Sequence, residues 1–127
     1  MDILLDTHAL WWFLIGSEKM PDAVKESILN PENTIYVSIA SVWEAAIKMS
    51  IGKLDFDGGI DRLIEAIDNE GFLLLDVATK HIKTVKDLSF IHRDPFDRML
   101  VAQAIVEGFH VMTTDSDIAK YDISLIW

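Results

Sequence analysis

The sequence contains no cysteine, which excludes disulfide bonds, thiolate zinc sites and catalysis by a cysteine nucleophile. It also has no repeat, linker or low-complexity segment. The longest strongly apolar run, residues 9–15, is far shorter than the roughly 20 residues that cross a bilayer. The first residues lead straight into a strand pattern, without the basic segment and apolar core of a signal peptide. We therefore expect a soluble protein of the reducing cytoplasm, with no membrane partner.

Basic residues are scarce. The chain has 11 lysines and arginines against 21 aspartates and glutamates, which gives a net charge of −10 at pH 7. Proteins that hold nucleic acid by neutralising its phosphates need clustered Lys and Arg, so this balance argues against that mode of binding. It still allows a metal ion to supply positive charge beside a phosphodiester, or a basic protein partner to cover an acidic face.

Short β-rich runs alternate with longer helical patterns along the 127 residues. This alternation is typical of βαβ units on a parallel sheet, and the length fits a single domain, residues 1–127. The Val-, Ile- and Leu-rich strands predict an α/β sheet covered on both faces. We predict strands at residues 3–5, 34–38, 72–75, 110–113 and 123–126, and helices at residues 7–14, 22–30, 39–51, 60–70, 79–88, 95–107 and 116–120.

The segment LDFDGG, residues 54–59, is typical of a loop between two helices. The helices predicted on either side of it would form a small helical pair beside the sheet, an appendage of the domain and not a second domain. Such pairs often use surplus apolar surface for dimer contacts.

Four acidic residues stand where this fold would bring distant segments together. Asp6 directly follows the first strand, and Asp115 follows the run of residues 111–114. The carboxyl ends of parallel strands line the ligand crevice of open α/β sheets. Glu44 lies in the helix after the second strand, and Asp97 lies at the start of a late helix. Since packed carboxylates repel, the pattern predicts a hard divalent cation, Mg²⁺ or Mn²⁺, and phosphate chemistry.

Three of these acids also have a simpler interpretation as helix-start residues. Asp6 and Asp115 are placed to cap backbone N–H groups of the helices that follow. Asp97 lies in a first turn, where the helix dipole favours an acid, although Asp94 is the better cap of that helix.

Glu44 has Lys48 four residues later on the same helix, so its simplest interpretation is an exposed ion pair worth about 0.3–0.5 kcal/mol. The helix around it is apolar over most of its circumference, as largely buried helices are. A buried acid is costly unless it is paired or metal-bound, which favours a site role for Glu44.

Other polar residues are weaker candidates. Thr7 and Thr113 neighbour the strand-end acids and are placed to bond a carboxylate or a metal-bound water. Arg93 and Arg98 are candidate substrate contacts, with surface ion pairs as the alternative. Asp117 is either a further outer ligand or a solvated helix residue. The four histidines show no zinc spacing and are interpreted as structural or surface residues: His8, His81, His92 and His110.

Four sequence blocks together resemble PIN-domain proteins, most closely the VapC-like toxins of prokaryotic type II toxin–antitoxin pairs. These blocks are ILLDTHALW at residues 3–11, the segment from Val37-Ser38 to Trp43-Glu44, HRDPFDRMLVAQA at residues 92–104, and TTD at residues 113–115. They occur in order over nearly the whole chain, and the block at 92–104 is highly specific.

This resemblance implies a three-layer α/β/α PIN-like domain with a short central parallel sheet, and an endoribonuclease site that depends on Mg²⁺ or Mn²⁺. It also implies a homodimer and a cognate antitoxin whose C-terminal segment blocks the site, often with a basic side chain, with a larger oligomer as the form of that complex. Carried over by position, the metal-binding and catalytic acids are Asp6, Glu44, Asp97 and Asp115, with Thr7 and Thr113 as supporting polar residues.

Other functions stay open at this point. A receiver-like phosphoacceptor module has a similar size and an acidic Mg²⁺ pocket, but it needs adjacent acids after the first strand, where Asp6 stands alone. A phosphatase with an aspartate nucleophile would carry a second acid at the position of His8. A catalytically silent PIN domain would act only as a binding partner, although the retention of all four acids favours turnover.

Overall fold

The computed structural model describes residues 1–127 and contains every predicted strand and helix, with boundaries that differ by at most two residues. The segment predicted as a short helix at residues 116–120 forms a 3₁₀ turn, Ile118–Lys120. None of the helices has both the length and the apolar character that a bilayer crossing requires. The strands are β1 (Asp2–Leu5), β2 (Thr34–Ser38), β3 (Leu73–Leu75), β4 (His110–Met112) and β5 (Leu125–Ile126), and the helices are α1 (Thr7–Ile15), α2 (Asp22–Leu29), α3 (Ile39–Ser50), α4 (Gly59–Asn69), α5 (Thr79–Asp87) and α6 (Pro95–Glu107).

The five strands form one sheet in the order β3-β2-β1-β4-β5, and all neighbouring strands are parallel. The chain moves outward from β1 to β3 on one side and then places β4 and β5 on the other side. The strand order therefore reverses between β1 and β4, and a reversal of this kind opens a crevice at the carboxyl ends of the two strands. Leu5 is paired with Met112, so the next residues, Asp6 and Thr113, lie at this crevice.

Side chains of β1 alternate between two apolar clusters, one on each face of the sheet. Ile3 and Leu5 belong to the cluster that includes residues of α1 to α4, while Leu4 belongs to the cluster formed with α6 and the 3₁₀ turn. All three are fully buried. A strand covered on both faces needs a continuous apolar run and not an alternating one, which is the pattern that the sequence has. The structure thus confirms three layers, α/β/α.

Helices α3 and α4 pack against each other as the predicted helical pair. The pair is anchored more firmly than an appendage would be, because Val42, Ala45, Leu63 and Ile67 belong to the apolar cluster on that face of the sheet. This packing fixes α3, and with it Glu44, relative to β1.

Candidate active site

Asp6 is buried at the carboxyl end of β1 and is also the N-cap of α1. Its Oδ1 accepts the backbone N–H of Ala9 at 2.7 Å, and its Oδ2 accepts the hydroxyl of Thr113 at 2.5 Å. Burial raises the pKa of Asp6, the negative charge of Asp115 raises it further, and the two hydrogen bonds act in the opposite direction. Capping and a place in the crevice are therefore compatible roles for this one carboxylate.

Asp115 is joined to Asp6 through a single side chain. The Thr113 oxygen that donates to Asp6 also accepts the backbone N–H of Asp115 at 2.9 Å. Oδ1 of Asp115 accepts the N–H groups of Asp117 and Ile118 at 2.8 and 3.0 Å, so it caps the 3₁₀ turn. Oδ2 of Asp115 has no hydrogen bond within the protein, and it is the oxygen that a ligand can use.

Asp97 lies in the first turn of α6, where Asp94 supplies the cap as predicted. Oδ1 of Asp94 accepts the N–H groups of Phe96 and Asp97 at 2.9 and 3.0 Å. Burial, followed by the charges of Asp94 and Asp115, raises the pKa of Asp97 to about 6, while a hydrogen bond from His92 opposes the rise. Because Asp115 affects both Asp6 and Asp97, these three carboxylates share one electrostatic environment.

Glu44 is held on α3 by two contacts. Its Oε1 accepts the hydroxyl of Thr7 at 2.8 Å, and its Oε2 lies 3.0 Å from Nζ of Lys48. The Thr7 hydroxyl also lies 3.1 Å from Oγ of Ser41. Glu44 therefore forms the ion pair of the simpler interpretation, but it does so as a buried residue linked to the neighbour of Asp6.

The structure brings Asp6, Asp97 and Asp115 into one neighbourhood and leaves Glu44 paired with Lys48. No three Asp, Glu or His side chains are arranged at metal-binding distances, so the predicted cage of four carboxylates is not assembled in this structure. Electrostatics explains the difference, since uncompensated carboxylates repel and their oxygens turn to Thr, His and Lys donors. Burial raises the pKa of Asp6 and of Asp97, and these two carboxylates together with Asp115 are an oxygen donor set that fits a hard divalent cation.

The two candidate arginines differ sharply in exposure. Arg98 is only 8% exposed, and its guanidinium donates to the carbonyls of Ser89 and Val85 and to the hydroxyl of Tyr121, at 3.0, 3.3 and 3.1 Å. It forms no ion pair, so it matches neither the substrate contact nor the surface pair that the sequence suggested. Arg93, by contrast, is exposed.

Sequence reasoning missed a contact of His92, which was interpreted as structural or surface. Nε2 of His92 lies 3.3 Å from Oδ2 of Asp97, and Nδ1 lies 2.9 Å from the hydroxyl of Tyr121. The available signal was position, since His92 opens the most specific block of the sequence, five residues before the acid. By contrast, the buried His81 bonds the carboxylate of Glu107 at 3.0 Å, as a structural histidine would.

Comparison with known sequences settles the family. The family model described as PIN domain matches residues 3–124. The chain belongs to the PIN-domain family. No curated protein matches this PIN-domain chain significantly in sequence.

Solved structures share the fold at low sequence identity. VapBC2 from Rickettsia felis, bound to a DNA fragment from their promoter, matches with a TM-score of 0.76 and 17% identity over 100% of this chain and 99% of that one. VapBC-1 from nontypeable Haemophilus influenzae matches with a TM-score of 0.73 and 14% identity, over 99% of this chain and 97% of that one. A toxin-antitoxin complex from Klebsiella pneumoniae matches with a TM-score of 0.65 and 15% identity, over 98% of this chain and 96% of that one. These likenesses support the PIN fold over the full length of the chain.

Proposed function

We propose that this PIN-domain protein is an endoribonuclease that depends on Mg²⁺ or Mn²⁺, and that it is the toxin of a type II toxin–antitoxin pair. The observation that carries the proposal is the position of Asp6, Asp97 and Asp115 near the topological switch between β1 and β4, where burial and the negative charge of Asp115 raise the pKa of both Asp6 and Asp97. Such a site is a poor place for an anion until a cation compensates it, which suits a metal-dependent hydrolysis of phosphodiesters.

The residues have separate tasks in this reaction. Asp6, Asp97 and Asp115 would hold the cation, with Glu44 joining them after release from Lys48. A bound cation supplies a Lewis acid for the phosphate and an activated water for attack on phosphorus. Thr113 and the Ala9 N–H hold Asp6 in one orientation, and Thr7 does the same for Glu44.

Substrate contact is assigned to Arg93. It lines an apolar groove together with Trp43 and Phe96, which are the neighbours of Glu44 and Asp97 in the chain. Arg93 is exposed and forms no ion pair with a carboxylate of the protein. Arg98 is not assigned a substrate contact because it is buried and three of its five N–H donors are bonded inside the protein.

Two protein partners follow from the surface. The net charge of −10 suits a basic segment of an antitoxin that covers the acid site, as charge complementarity favours association. The groove that Arg93 lines also carries Phe90 and Trp43, which are 74% and 62% exposed, and we assign these two side chains to a homodimer contact beside which Arg93 would stay available to the substrate. The similar solved structures include VapBC and toxin-antitoxin complexes, which supports an antitoxin partner. We place the protein in the cytoplasm, where its RNA substrate is found.

The decisive experiment incubates the purified protein with total RNA in Mn²⁺, in Mg²⁺ and in EDTA. We expect cleavage with either metal and none with EDTA. Asp6→Asn removes a charge with little change in volume, so this variant should stay folded by circular dichroism and lose cleavage. Asp22→Asn is the matched control, because Asp22 is an exposed first-turn acid on α2. Full activity in Asp6→Asn would contradict the site, and metal binding without cleavage would indicate a silent PIN domain.

A further inference from the structure

A line of hydrogen bonds leads from Asp97 into the protein interior. Nε2 of His92 lies 3.3 Å from Oδ2 of Asp97, and Nδ1 of the same ring lies 2.9 Å from the Tyr121 hydroxyl. The Tyr121 oxygen in turn lies 3.1 Å from Nη1 of Arg98. The proposed mechanism gives no role to His92, Tyr121 or Arg98, although this line of hydrogen bonds ends at Asp97, one of its acids.

The inner end of this line fixes the direction of its first hydrogen bond and favours one tautomer of the histidine. A guanidinium donates and cannot accept, so the Tyr121 oxygen accepts from Arg98. In the neutral tautomer whose Nδ1 is the acceptor, the hydroxyl of Tyr121 accepts from Arg98 and donates its own hydrogen to Nδ1 of His92. The ring hydrogen therefore lies on Nε2 and is donated to the carboxylate of Asp97. Of the two neutral tautomers, this is the one that places a donor opposite the Asp97 carboxylate and an acceptor opposite the Tyr121 hydroxyl.

The inner end of the line is rigid. Arg98 is also bonded to the carbonyls of Ser89 and Val85, and both Arg98 and Tyr121 are buried. The rings of His92 and Tyr121 meet edge to face, with centroids 5.6 Å apart. Because His92 is bonded to the buried Tyr121, its ring is held in place and can hold the Asp97 carboxylate in one orientation. A histidine without such a partner could not do this. Oδ2 of Asp97 is thereby occupied, while Oδ1 has no hydrogen bond within the protein.

We propose that His92 is a positioning residue, kept as the Nε2–H tautomer by Tyr121 and Arg98, which orients the Asp97 carboxylate so that Oδ1 is left for the divalent cation. The inference rests on the proposed function, because it assigns a role at the same site. Removal of a hydrogen bond that orients a metal ligand typically lowers metal affinity or activity by about 10–100-fold.

The test uses Tyr121→Phe, which removes the hydroxyl and keeps the buried ring. Tyr36→Phe is the matched control, because Tyr36 is the other tyrosine of the chain, stacks on Phe109 and has no side-chain hydrogen bond. Long-range ¹H–¹⁵N spectra of the metal-free protein report the tautomer of each histidine, and the His92 signals are assigned by their loss in His92→Gln. We expect Nε2–H for His92 in the wild-type protein and in Tyr36→Phe, and a mixture of tautomers in Tyr121→Phe.

Calorimetric titration with Mn²⁺ gives the second readout. We expect the affinity to fall about 10-fold in Tyr121→Phe and in His92→Ala. His92→Gln should recover part of this loss, because an amide can still donate to Asp97. In RNA cleavage, kcat should fall in Tyr121→Phe with little change in KM.

An Nδ1–H tautomer in the wild-type protein would overturn the proposal, and so would a Tyr121→Phe variant with wild-type tautomer and Mn²⁺ affinity. A merely structural contact would change the melting temperature and leave these two quantities at their wild-type values. The spectra require neither RNA nor turnover. A protein that fails to cleave RNA would therefore refute the proposed function and leave the tautomer test intact.

Discussion

The hydroxyl of Thr113 donates a 2.5 Å hydrogen bond to Oδ2 of Asp6, although the two residues are 107 positions apart in the chain. They meet because β1 and β4 are parallel neighbours that end side by side. The same threonine oxygen accepts the backbone N–H of Asp115. Thr113 thus connects both strand-end acids and holds the buried carboxylate of Asp6 in one orientation.

Thr113→Val should damage the site while preserving the shape of the strand end. The substitution leaves Oδ2 of the buried Asp6 without its partner, which should cost about 1–3 kcal/mol in the free energy of unfolding. The loss of an orienting hydrogen bond should also lower RNA cleavage by about 10–100-fold. Chemical denaturation and initial rates measure the two effects.

Thr114→Val is the matched control for this variant, because Thr114 is the exposed next residue and its side chain forms no hydrogen bond. We expect it to keep wild-type stability and activity. Equal effects of the two substitutions would show that the Thr113 hydroxyl has no particular role.

Acid pH should stabilise the metal-free protein through Asp97. Its pKa is about 6 in the folded protein and 3.8 as the unperturbed value, so the folded state binds the proton more tightly. This contribution is complete below about pH 3.8 and is lost as pH rises through about 6. The difference of about two pKa units corresponds to about 3 kcal/mol, since one pKa unit corresponds to 1.36 kcal/mol. A bound cation should replace the proton, so Mn²⁺ affinity should rise with pH up to about 6 and then level off.

Thermal unfolding of wild type and Asp97→Asn between pH 4 and 7 measures this effect. The variant should lack the part of the pH dependence that Asp97 supplies. Asp87→Asn, at a carboxylate that is 75% exposed, should follow the wild-type curve. Parallel curves for wild type and Asp97→Asn would show that the Asp97 carboxyl titrates normally.

The sequence predicts the sheet and the strand-end acids well, because both depend on local pattern. The run Ile3–Leu5 is apolar at every position, which marks a strand covered on both faces, and the polar residue that ends such a run must lie at the strand end. Asp6 was placed in this way without any contact information. Its capping hydrogen bond to Ala9 was predictable for the same reason, since caps are local.

Contacts across the fold were not predictable in the same way. Arg98 looks like a surface arginine beside an acid, yet packing turns it inward to Tyr121, 23 positions away. His92 likewise finds Tyr121 29 positions later in the chain. A long polar side chain has several partners within reach, and only the three-dimensional arrangement of carbonyls and hydroxyls selects among them. The assignment of the acids as metal ligands stays a prediction for the experiments above.

Lys48 should compete with the divalent cation for Glu44. Its Nζ lies 3.0 Å from Oε2 of Glu44, and the Lys48 side chain is 42% exposed, so removal costs little stability. Lys48→Met should raise Mn²⁺ affinity about twofold, which corresponds to the 0.3–0.5 kcal/mol typical of such a pair. Lys25→Met is the control, because Lys25 is exposed on α2 and has no ion pair. A weaker affinity in Lys48→Met than in this control would show that Lys48 supports the site.

Phe90 should be a central residue of the homodimer contact. Phe90 is 74% exposed. The guanidinium of Arg98 lies over its ring, with 5.1 Å between the guanidinium carbon and the ring centroid. Phe90→Glu would replace the ring with a carboxylate in each copy, and removing this charge from water in an apolar contact is costly. The variant should still fold, since the new carboxylate lies beside Arg98 in each monomer. We expect dimer affinity to fall by about 2 kcal/mol or more, roughly 30-fold, as for a central interface residue. Sedimentation velocity over a range of concentrations measures the change.

Leu29→Glu is the matched control, because Leu29 is 59% exposed at the end of α2 and does not line the groove of Phe90. A wild-type protein that stays monomeric at every concentration would refute the homodimer, and a dimer weakened equally by both variants would place the contact elsewhere.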